Sequence, residues 1–319
     1  MKRTILFWLA ALLAAALALG LCLLAGASGW GLPARGILRL RLDRVLAGFV
    51  VGASLAAAGT VFQALLRNPL ADPYVLGVSS GAGLGAAVAF LTGVASVSVA
   101  ALPLIAFAFA AATLFLVYRL AMVGGRTSIY GLILSGVIVS SVCSSLLMFT
   151  IWVSPASALH GVLGWMLGNL EVYSRSLLLA VCAIATVGLA GIWAMAPELN
   201  ALTLGEDVAH YVGIRTRVAV PMGLALATLT TAAGVSLAGL IGFVGLVVPH
   251  VVRAITGPDH RRLVPASALA GGVFLAVCDA LARTVLAPRE VPVGVVTALI
   301  GGPFFLTILR RRRRGGWLE

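Results

Sequence analysis

Residues 46–73 read LAGFVVGASLAAAGTVFQALLRNPLADP. Up to Leu66 almost every residue is apolar or small, and a run of about 20 such residues is long enough to cross the hydrocarbon core of a bilayer. The run ends at Arg67, Asn68 and Pro69, and proline cannot continue a helix because it lacks a backbone N–H. The stretch therefore predicts a membrane-spanning helix followed by a polar turn, in which Asn68 and Pro69 have structural roles.

The composition of the whole chain agrees with a membrane protein. Of the 319 residues, 61% are hydrophobic and 10% are charged, and the mean hydropathy is +1.11. An average soluble domain is about 25% charged, so these values exclude an ordinary soluble enzyme, a disordered chain and a disulfide scaffold. The four cysteines lie inside apolar runs with no short spacing between them, which predicts neither disulfides nor a metal site.

Apolar runs of this kind recur along the chain. They predict an all-α polytopic membrane protein with one transmembrane domain over residues 1–319 and about ten spans, at residues 5–24, 46–66, 75–92, 97–119, 129–153, 176–195, 218–237, 239–256, 264–282 and 292–309. We interpret the first run as an uncleaved span, because signal-peptide apolar regions are about 7–15 residues long.

The distribution of basic residues predicts the orientation. With ten spans both termini lie on one side, and placing them in the cytoplasm puts 15 of the 22 basic residues there, in agreement with the positive-inside rule. The net charge of +12 thus orients spans and does not indicate a nucleic-acid partner. The first outer loop is an exception, because it carries four arginines. Arg41 and Arg44 would share one helix face, so this loop contacts either lipid headgroups or an acidic partner.

A glycine-rich segment allows two interpretations. Gly77, Gly81 and Gly85 are four residues apart and would form a small-residue face for close helix packing. The same segment contains G-x-S-x-G around Ser79, which in a hydrolase would work with a histidine such as His160 or His250. No predicted strand precedes Ser79, which favours packing and leaves an intramembrane serine hydrolase as an alternative.

The source of energy for transport is also constrained. The only lysine is Lys2, so the chain holds no P-loop, whose motif needs a lysine. Uphill transport would need a separate ATPase or an ion gradient. Asp279 is the one acidic residue predicted within a span, and it lies four residues before Arg283. An i, i+4 ion pair is the simpler interpretation, and a proton-coupled secondary transporter is the alternative.

The longest inner loop, at about 196–217, contains a predicted short helix. Thr203 and Glu206 have the spacing of a capping box, and Gly213 would end the helix. This helix either inserts into a groove of a partner or lies on the surface. Farther along the chain, Ser236-Leu-Ala-Gly followed by Phe243 repeats Ser54-Leu-Ala-Ala-Ala-Gly followed by Phe62, an internal echo found in transporters built from related halves.

Several motifs together resemble one family across nearly the whole chain. In order they are Arg41-Leu-Asp-Arg44, Gln63-Ala-Leu-Leu-Arg-Asn-Pro-Leu-Ala-Asp-Pro73, Leu204-Gly-Glu206, Ile241-Gly-Phe-Val-Gly-Leu-Val-Val-Pro-His250, Asp259-His-Arg261, Glu290-Val-Pro-Val-Gly294 and Gly301-Gly-Pro-Phe304. The sequence resembles the FecCD family, the permease subunits of type II ATP-binding cassette (ABC) importers, which take up iron–siderophores, haem and vitamin B12.

The resemblance implies a fold, a mechanism and partners. It implies a ten-helix permease in the bacterial inner membrane that pairs with a second permease subunit, which we expect to be an identical copy. Two ATPase subunits with ATP and Mg²⁺ would bind below, and a periplasmic substrate-binding protein would dock above. The permease itself would hold no cofactor and no catalytic residue, and would work by alternating access. We expect an iron chelate, haem or a ferric siderophore, as substrate, with cobalamin as the alternative.

The resemblance also assigns residues to roles. It implies docking of the binding protein by Arg41, Arg44 and Arg283. Independently of the resemblance, we expect structural roles for Pro249, in a polar break that ends an apolar helix, and for Asp279, as the ion-pair partner of Arg283. The remaining assignments from the resemblance are ATPase coupling by Leu204, Gly205, Glu206, Asp207, Ala209 and Gly213, and a pathway gate at Ser154, Pro155, Ala156 and Ser157.

Overall fold

The chain folds into a bundle of α-helices. The structure is a computed structural model and describes residues 2–26, 29, 31, 34–123 and 126–314. The described α-helices are α1 (Lys2–Leu24), α2 (Arg35–Leu65), α3 (Val78–Leu91), α4 (Ala101–Ala121), α5 (Ile129–Val153), α6 (Ala156–Met166), α7 (Arg175–Ala194), α8 (Ala196–Leu202), α9 (Glu206–Tyr211), α10 (Thr216–Ala238), α11 (Val244–Thr256), α12 (His260–Thr284) and α13 (Val293–Arg314). Two 3₁₀ helices (Pro73–Leu76 and Val94–Ser96) and a two-residue antiparallel pair, β1 (Met122–Val123) with β2 (Arg126–Thr127), complete the elements.

Ten apolar helices correspond to the ten predicted spans, and the all-α prediction is confirmed. Seven are long enough to cross a bilayer, and α3, α11 and the apolar part of α13 are shorter. The main difference is at α2, which begins at Arg35 and not at residue 46. Hydropathy placed the boundary too late because Arg35, Arg39, Arg41 and Arg44 lie in its first turns. Arg41 and Arg44 have partners within the bundle, and Arg35 and Arg39 are exposed.

The centre of the bundle is α2. Of its most apolar stretch 83% is buried, against 11% for α1, and α10, α11 and α12 pack around it. The contact with α12 brings two backbones together: a Cβ on Gly52 would lie 2.2 Å from the carbonyl oxygen of Gly271. Only glycine permits this approach, which is how small residues allow close helix packing inside membranes.

The glycine-rich segment around Ser79 packs helices, as predicted, with one correction. A Cβ on Gly81 would lie 2.2 Å from Thr113 Oγ1, and one on Gly85 would lie 2.8 Å from the Cβ of Phe109, so both glycines hold α3 against α4. Gly77 is not in the helix. It precedes α3 at φ +83°, a left-handed conformation that glycine adopts without strain. A 3₁₀ helix and no strand precedes Ser79, so the segment lacks the strand–turn–helix context of a nucleophile elbow.

The chain leaves helical geometry inside the bundle between α10 and α11. Gly239 and Phe243 both have positive φ, at +72° and +70°. The hydroxyl of Tyr74 accepts a hydrogen bond from Ile241 N at 3.1 Å and donates one to Ile241 O at 3.0 Å. Non-helical backbone at membrane depth needs such internal partners, and Tyr74 supplies them.

Candidate functional site

Functional candidates collect at two opposite ends of the bundle, joined by α12. We call the end that carries α8 and α9 the coupling end, and the end that carries Arg41, Arg44 and Arg283 the arginine end. The 25 residues of α12 span about 37 Å at 1.5 Å per residue. Its first residue, His260, lies at the coupling end, and Arg283 lies at the arginine end.

The coupling end presents apolar side chains to its surroundings. Leu204, Val208, Tyr211 and Val212 are 69%, 42%, 89% and 65% exposed. Beside them, a cleft of about 660 Å³ lies between Tyr118 of α4 and the connection from α9 to α10. Exposed apolar patches bordered by polar residues mark interaction sites, so this end has the character of a protein interface.

The six residues predicted for ATPase coupling lie in and around α9, some facing the bundle and some facing away from it. Leu204, Asp207 and Gly213 are exposed, Glu206 is half-buried, and Gly205 and Ala209 are buried. Burial of Ala209 fixes α9 on the bundle, whereas its opposite face is left for contact. Their role in binding an ATPase stays a prediction.

Two details of the predicted loop differ from the structure. It contains two short helices and not one, and the predicted capping box is wrong: α9 begins after Gly205 at φ +118°, with no side-chain cap, while Thr203 Oγ1 donates to the Asn200 carbonyl. The predicted end is confirmed. Gly213 has φ +90°, and the N–H of Ile214 bonds to Ala209 O at 2.9 Å, which is a Schellman closure.

Asn200 ties α8 to the start of α12, and sequence reasoning missed it. Its Nδ2 donates to Asp259 Oδ1 at 2.7 Å, and its Oδ1 accepts from His260 N at 2.8 Å and lies 2.8 Å from His260 Nδ1. The hydrogen bond from Asn200 lowers the pKa of Asp259. Because Asn200 and its partners Asp259 and His260 are about 60 positions apart along the chain, no local sequence pattern predicts this contact.

The two echoing sequence regions meet in space. Pro249 is buried inside α11, and its missing N–H leaves the Gly245 carbonyl without a helical partner. Gln63 Nε2 lies 3.4 Å from that carbonyl oxygen, and Gln63 Oε1 accepts from Arg253 Nη2 at 3.0 Å. Nearby, Asn68 Oδ1 accepts from Leu70 N at 2.9 Å, an Asx turn that ends α2. Asn68 and Pro249 thus sit in local backbone arrangements consistent with their predicted structural roles.

The arginine end holds a buried ion cluster around Asp279. Its Oδ1 lies 2.9 Å from Arg44 Nε, and its Oδ2 lies 3.0 Å from Arg283 Nε. The carboxylate is fully buried. Arg44 also pairs with Glu290 at 2.8 Å, near the surface. The expected Asp279–Arg283 pair is present, and the second partner, Arg44, comes from a helix 235 positions earlier in the chain.

The predicted docking arginines already have partners inside the chain. Arg41 Nη1 donates to Leu23 O and Leu24 O, both at 3.0 Å, and Arg283 donates to Ala25 O at 3.2 Å and Cys22 O at 3.3 Å. Arg41 and Arg283 are 6% and 3% exposed. The sequence pattern placed these side chains at an outer surface, whereas the structure covers them with the end of α1. Docking by them stays a prediction.

The predicted gate lies in the turn between α5 and α6. Ser154 Oγ donates to Thr150 O at 2.6 Å, and Pro155 and Ala156 are exposed. The side chain of Ser157 lies outside the described part of the structure. The turn adjoins an exposed helix: 22% of the apolar stretch of α5 is buried. Ser141, Ser144 and Ser145 are among its exposed residues.

A second cavity lies near α6, lined mostly by apolar and aromatic residues. Its volume is about 320 Å³, and Trp165, His160 and Phe90 contribute to its wall. At its rim Tyr173 donates a hydrogen bond to Glu171, which raises the pKa of the tyrosine to about 12. Within the described residues no group of three His, Cys, Asp or Glu could hold a metal ion, and the four cysteines are unpaired.

Comparison with known proteins places the chain among transporters. Residues 4–311 match the FecCD transport family. The cobalamin import system permease protein BtuC of Halobacterium salinarum is 45% identical over 273 residues, covering 86% of this chain and 73% of that protein. The hemin transport system permease protein HmuU of Yersinia pestis is 38% identical over 286 residues, covering 86% and 83%.

A solved structure agrees with this placement. A metal-chelate type ABC transporter in an inward-facing conformation superposes with a TM-score of 0.87 at 29% identity, covering 97% of this chain and 99% of that chain. The match shows that this chain has the fold of such a permease. In this family the ATPase is a separate subunit. We conclude that this chain belongs to the FecCD transport family and is the multi-pass permease subunit of an ABC importer.

Proposed function

We propose that this permease imports a metal held in a large organic chelator, with cobalamin as the first candidate and an iron chelate, haem or a ferric siderophore, as the second. The observation that carries the proposal is the similarity to permeases named for cobalamin and for hemin, at 45% and 38% identity. Carriage of the metal inside its chelator agrees with the scarcity of metal ligands among the described residues. Because the permease named for cobalamin has the higher identity of the two, the iron chelate expected from the sequence stays a candidate and is not preferred.

The proposed pathway runs along the exposed face of α5. A helix that faced only lipid would gain nothing from hydroxyl groups, yet Ser141, Ser144 and Ser145 are exposed there. Polar side chains in a span face the bundle interior or a water-filled route. Two identical permeases that oppose these faces would enclose a route between them, with Ser154 to Ser157 as its gate.

The proposed partners occupy the two ends. ATPase subunits bind the coupling end, where Leu204, Val208, Tyr211 and Val212 are exposed, and an acidic surface of a substrate-binding protein docks at the arginine end. Both termini lie in the cytoplasm, and the membrane is the inner membrane of a bacterium. ATP closes the ATPase dimer, α9 follows, and the helices rock around the route.

Reconstitution in liposomes tests this function. The permease would be assembled with its ATPase and binding protein, and ATP-driven uptake of cobalamin, haem and a ferric siderophore measured separately. We expect ATP-dependent accumulation of one of them, cobalamin first. Accumulation of haem alone would replace the preferred substrate. Uptake driven by a proton gradient without ATP would support the secondary transporter, and Asp279→Asn would then abolish it.

Ser79→Ala distinguishes a permease from the remaining alternative, an intramembrane serine hydrolase. A permease retains transport when the half-buried Ser79 hydroxyl is removed, whereas an intramembrane serine hydrolase loses its activity. We expect uptake within about twofold of the wild-type rate, as is usual for substitutions that remove no buried partner.

A further inference from the structure

We propose that the end of α1 covers the docking surface for the acidic partner and that docking displaces it. The proposal rests on the proposed function, in which a substrate-binding protein docks at the arginine end. In the free permease the arginines donate hydrogen bonds to the end of α1. On docking they donate to carboxylates of the partner instead.

The arginines hold the end of α1. The last four carbonyls of an α-helix have no partner within the helix, and in α1 these are the carbonyls around Cys22 to Ala25. Arg41 and Arg283 donate to all four of them. Two arginines from α2 and α12 therefore cap α1, and their positive charge is favourable at a helix C-terminus.

Among the described residues, little else holds this end of α1 apart from a backbone hydrogen bond from Gly31 N to Leu24 O at 3.1 Å. Only 11% of its apolar stretch is buried. At the capped turn, Cys22 and Ala25 are buried against Val45, Ala276 and Ala280, which are mostly small side chains. Displacing the turn would thus expose little apolar surface, and the cost of displacement is set mainly by the arginine hydrogen bonds.

Carboxylates of a partner can replace the carbonyls of α1 as acceptors. Hydrogen bonds from arginine to carboxylates are charge-assisted and roughly twice as strong as bonds between neutral groups, so carboxylates compete well with the carbonyls of α1. Arg44 and Arg283 are also held by Asp279, which keeps both side chains in place when α1 leaves. The partner that fits is a protein surface with at least two carboxylates, placed to reach Arg41 and Arg283.

Gly26 offers a variant that weakens the cap alone. A Cβ at Gly26 would lie 2.0 Å from Arg41 Nη2 and 2.4 Å from its Cζ. Because these atoms are the far end of a flexible side chain, Gly26→Ala moves the guanidinium and leaves the backbone in place. Gly20→Ala is the matched control, since nothing lies within 4 Å of a Cβ there.

The experiment measures docking of the substrate-binding protein on the assembled transporter in lipid nanodiscs. Two hydrogen bonds to neutral groups are released in advance by Gly26→Ala, so we expect docking to tighten about tenfold. Gly20→Ala should dock like the wild type. Equal or weaker docking of Gly26→Ala would overturn the proposal.

Labelling of Cys22 gives a second measurement. Its thiol is buried at 3% exposure, so in a variant with Cys143, Cys182 and Cys278 replaced by alanine a maleimide reports on the end of α1. We expect labelling at least fivefold faster when the binding protein is docked, in parallel with the affinity change. Docking without faster labelling would show that α1 stays in place, which contradicts displacement.

The proposed function fails in a different way. If Arg41→Gln and Arg283→Gln both leave docking unchanged, the arginine end is not the docking surface, and that assignment is wrong whatever α1 does. If these variants weaken docking while Gly26→Ala also weakens it, the docking surface is correct and the covering role of α1 is wrong.

Discussion

The contact between α2 and α12 and the exposed helix α5 are built in opposite ways. In the first, two backbones touch through Gly52 and Gly271, and a buried carboxylate holds arginines from both helices. In α5, 22% of the apolar stretch is buried, and the exposed Ser141 bonds to Val137 O of its own helix. Regions that move are poor in buried contacts, so the comparison separates a fixed scaffold from the segment that the proposed cycle would rearrange.

The largest expected effect comes from removing the buried anion of the scaffold. Asp279→Ala leaves Arg44 and Arg283 without their shared partner, and breaking a buried ion pair costs about 3–5 kcal/mol. We expect a large fall in the thermal unfolding temperature in detergent.

Ser141→Ala is the corresponding change on α5, because it removes a hydrogen bond within one exposed helix. It should change stability by no more than about 0.5 kcal/mol. An Asp279→Ala protein as stable as the wild type would show that the ion cluster does not hold the scaffold together.

The next effect comes from the glycine contact. A Cβ on Gly271 would lie 2.5 Å from both the Gly52 carbonyl oxygen and the Ala56 Cβ, so Gly271→Val must separate the helices. Overpacking costs about 1–3 kcal/mol, and we expect lower yield and a lower unfolding temperature. Gly164→Val is the control on α6, where a Cβ meets nothing within 4 Å. Similar losses in both variants would mean that glycine content, and not the contact, matters.

A smaller effect is expected at the coupling end of the scaffold. Asn200→Ala removes the hydrogen bonds that join α8 to Asp259 and His260, at about 1–2 kcal/mol. Hydrogen exchange should quicken in α8 and at the start of α12. Asn169→Ala, which loses hydrogen bonds to nearby Glu171, should leave α8 unchanged. Unchanged hydrogen exchange in α8 and at the start of α12 of the Asn200 variant would show that these hydrogen bonds do not join the coupling end to the scaffold.

The smallest expected effect lies on the turn between α2 and α3, and it depends on pH. Burial raises the pKa of Asp72 to about 6. Since the folded-state pKa is above the unfolded value, ionisation destabilises the fold as the pH rises through this range. Asp72→Asn keeps an acceptor for Tyr74 N and cannot ionise, so its unfolding temperature should exceed that of the wild type by about 2 °C at pH 8. The difference should vanish near pH 4, and a difference independent of pH would contradict the assigned cause.

Some of the coupling end was visible in the sequence and some was not. Gly213 predicts a helix end from the sequence because glycine adopts a positive φ without strain, and the structure gives it φ +90°. This rule is local and needs no knowledge of the rest of the fold. Thr203 fits a capping box equally well, yet its hydroxyl bonds backwards to Asn200. Two local arrangements of similar energy compete there, and the packing of Ala209 and Leu202 against the bundle decides between them.

The sequence by itself determined the class, the number of apolar helices and the family. Hydropathy is a sum over about 20 neighbouring residues, so it needs no knowledge of what those residues touch. Only the tertiary structure decided what the arginines of the arginine end bind. Arg44 meets Asp279 across 235 positions, and Arg283 meets the end of α1 across 258. Such partners are chosen by how helices pack around α2, because a buried charge takes whichever counter-charge or carbonyl the packing brings within reach.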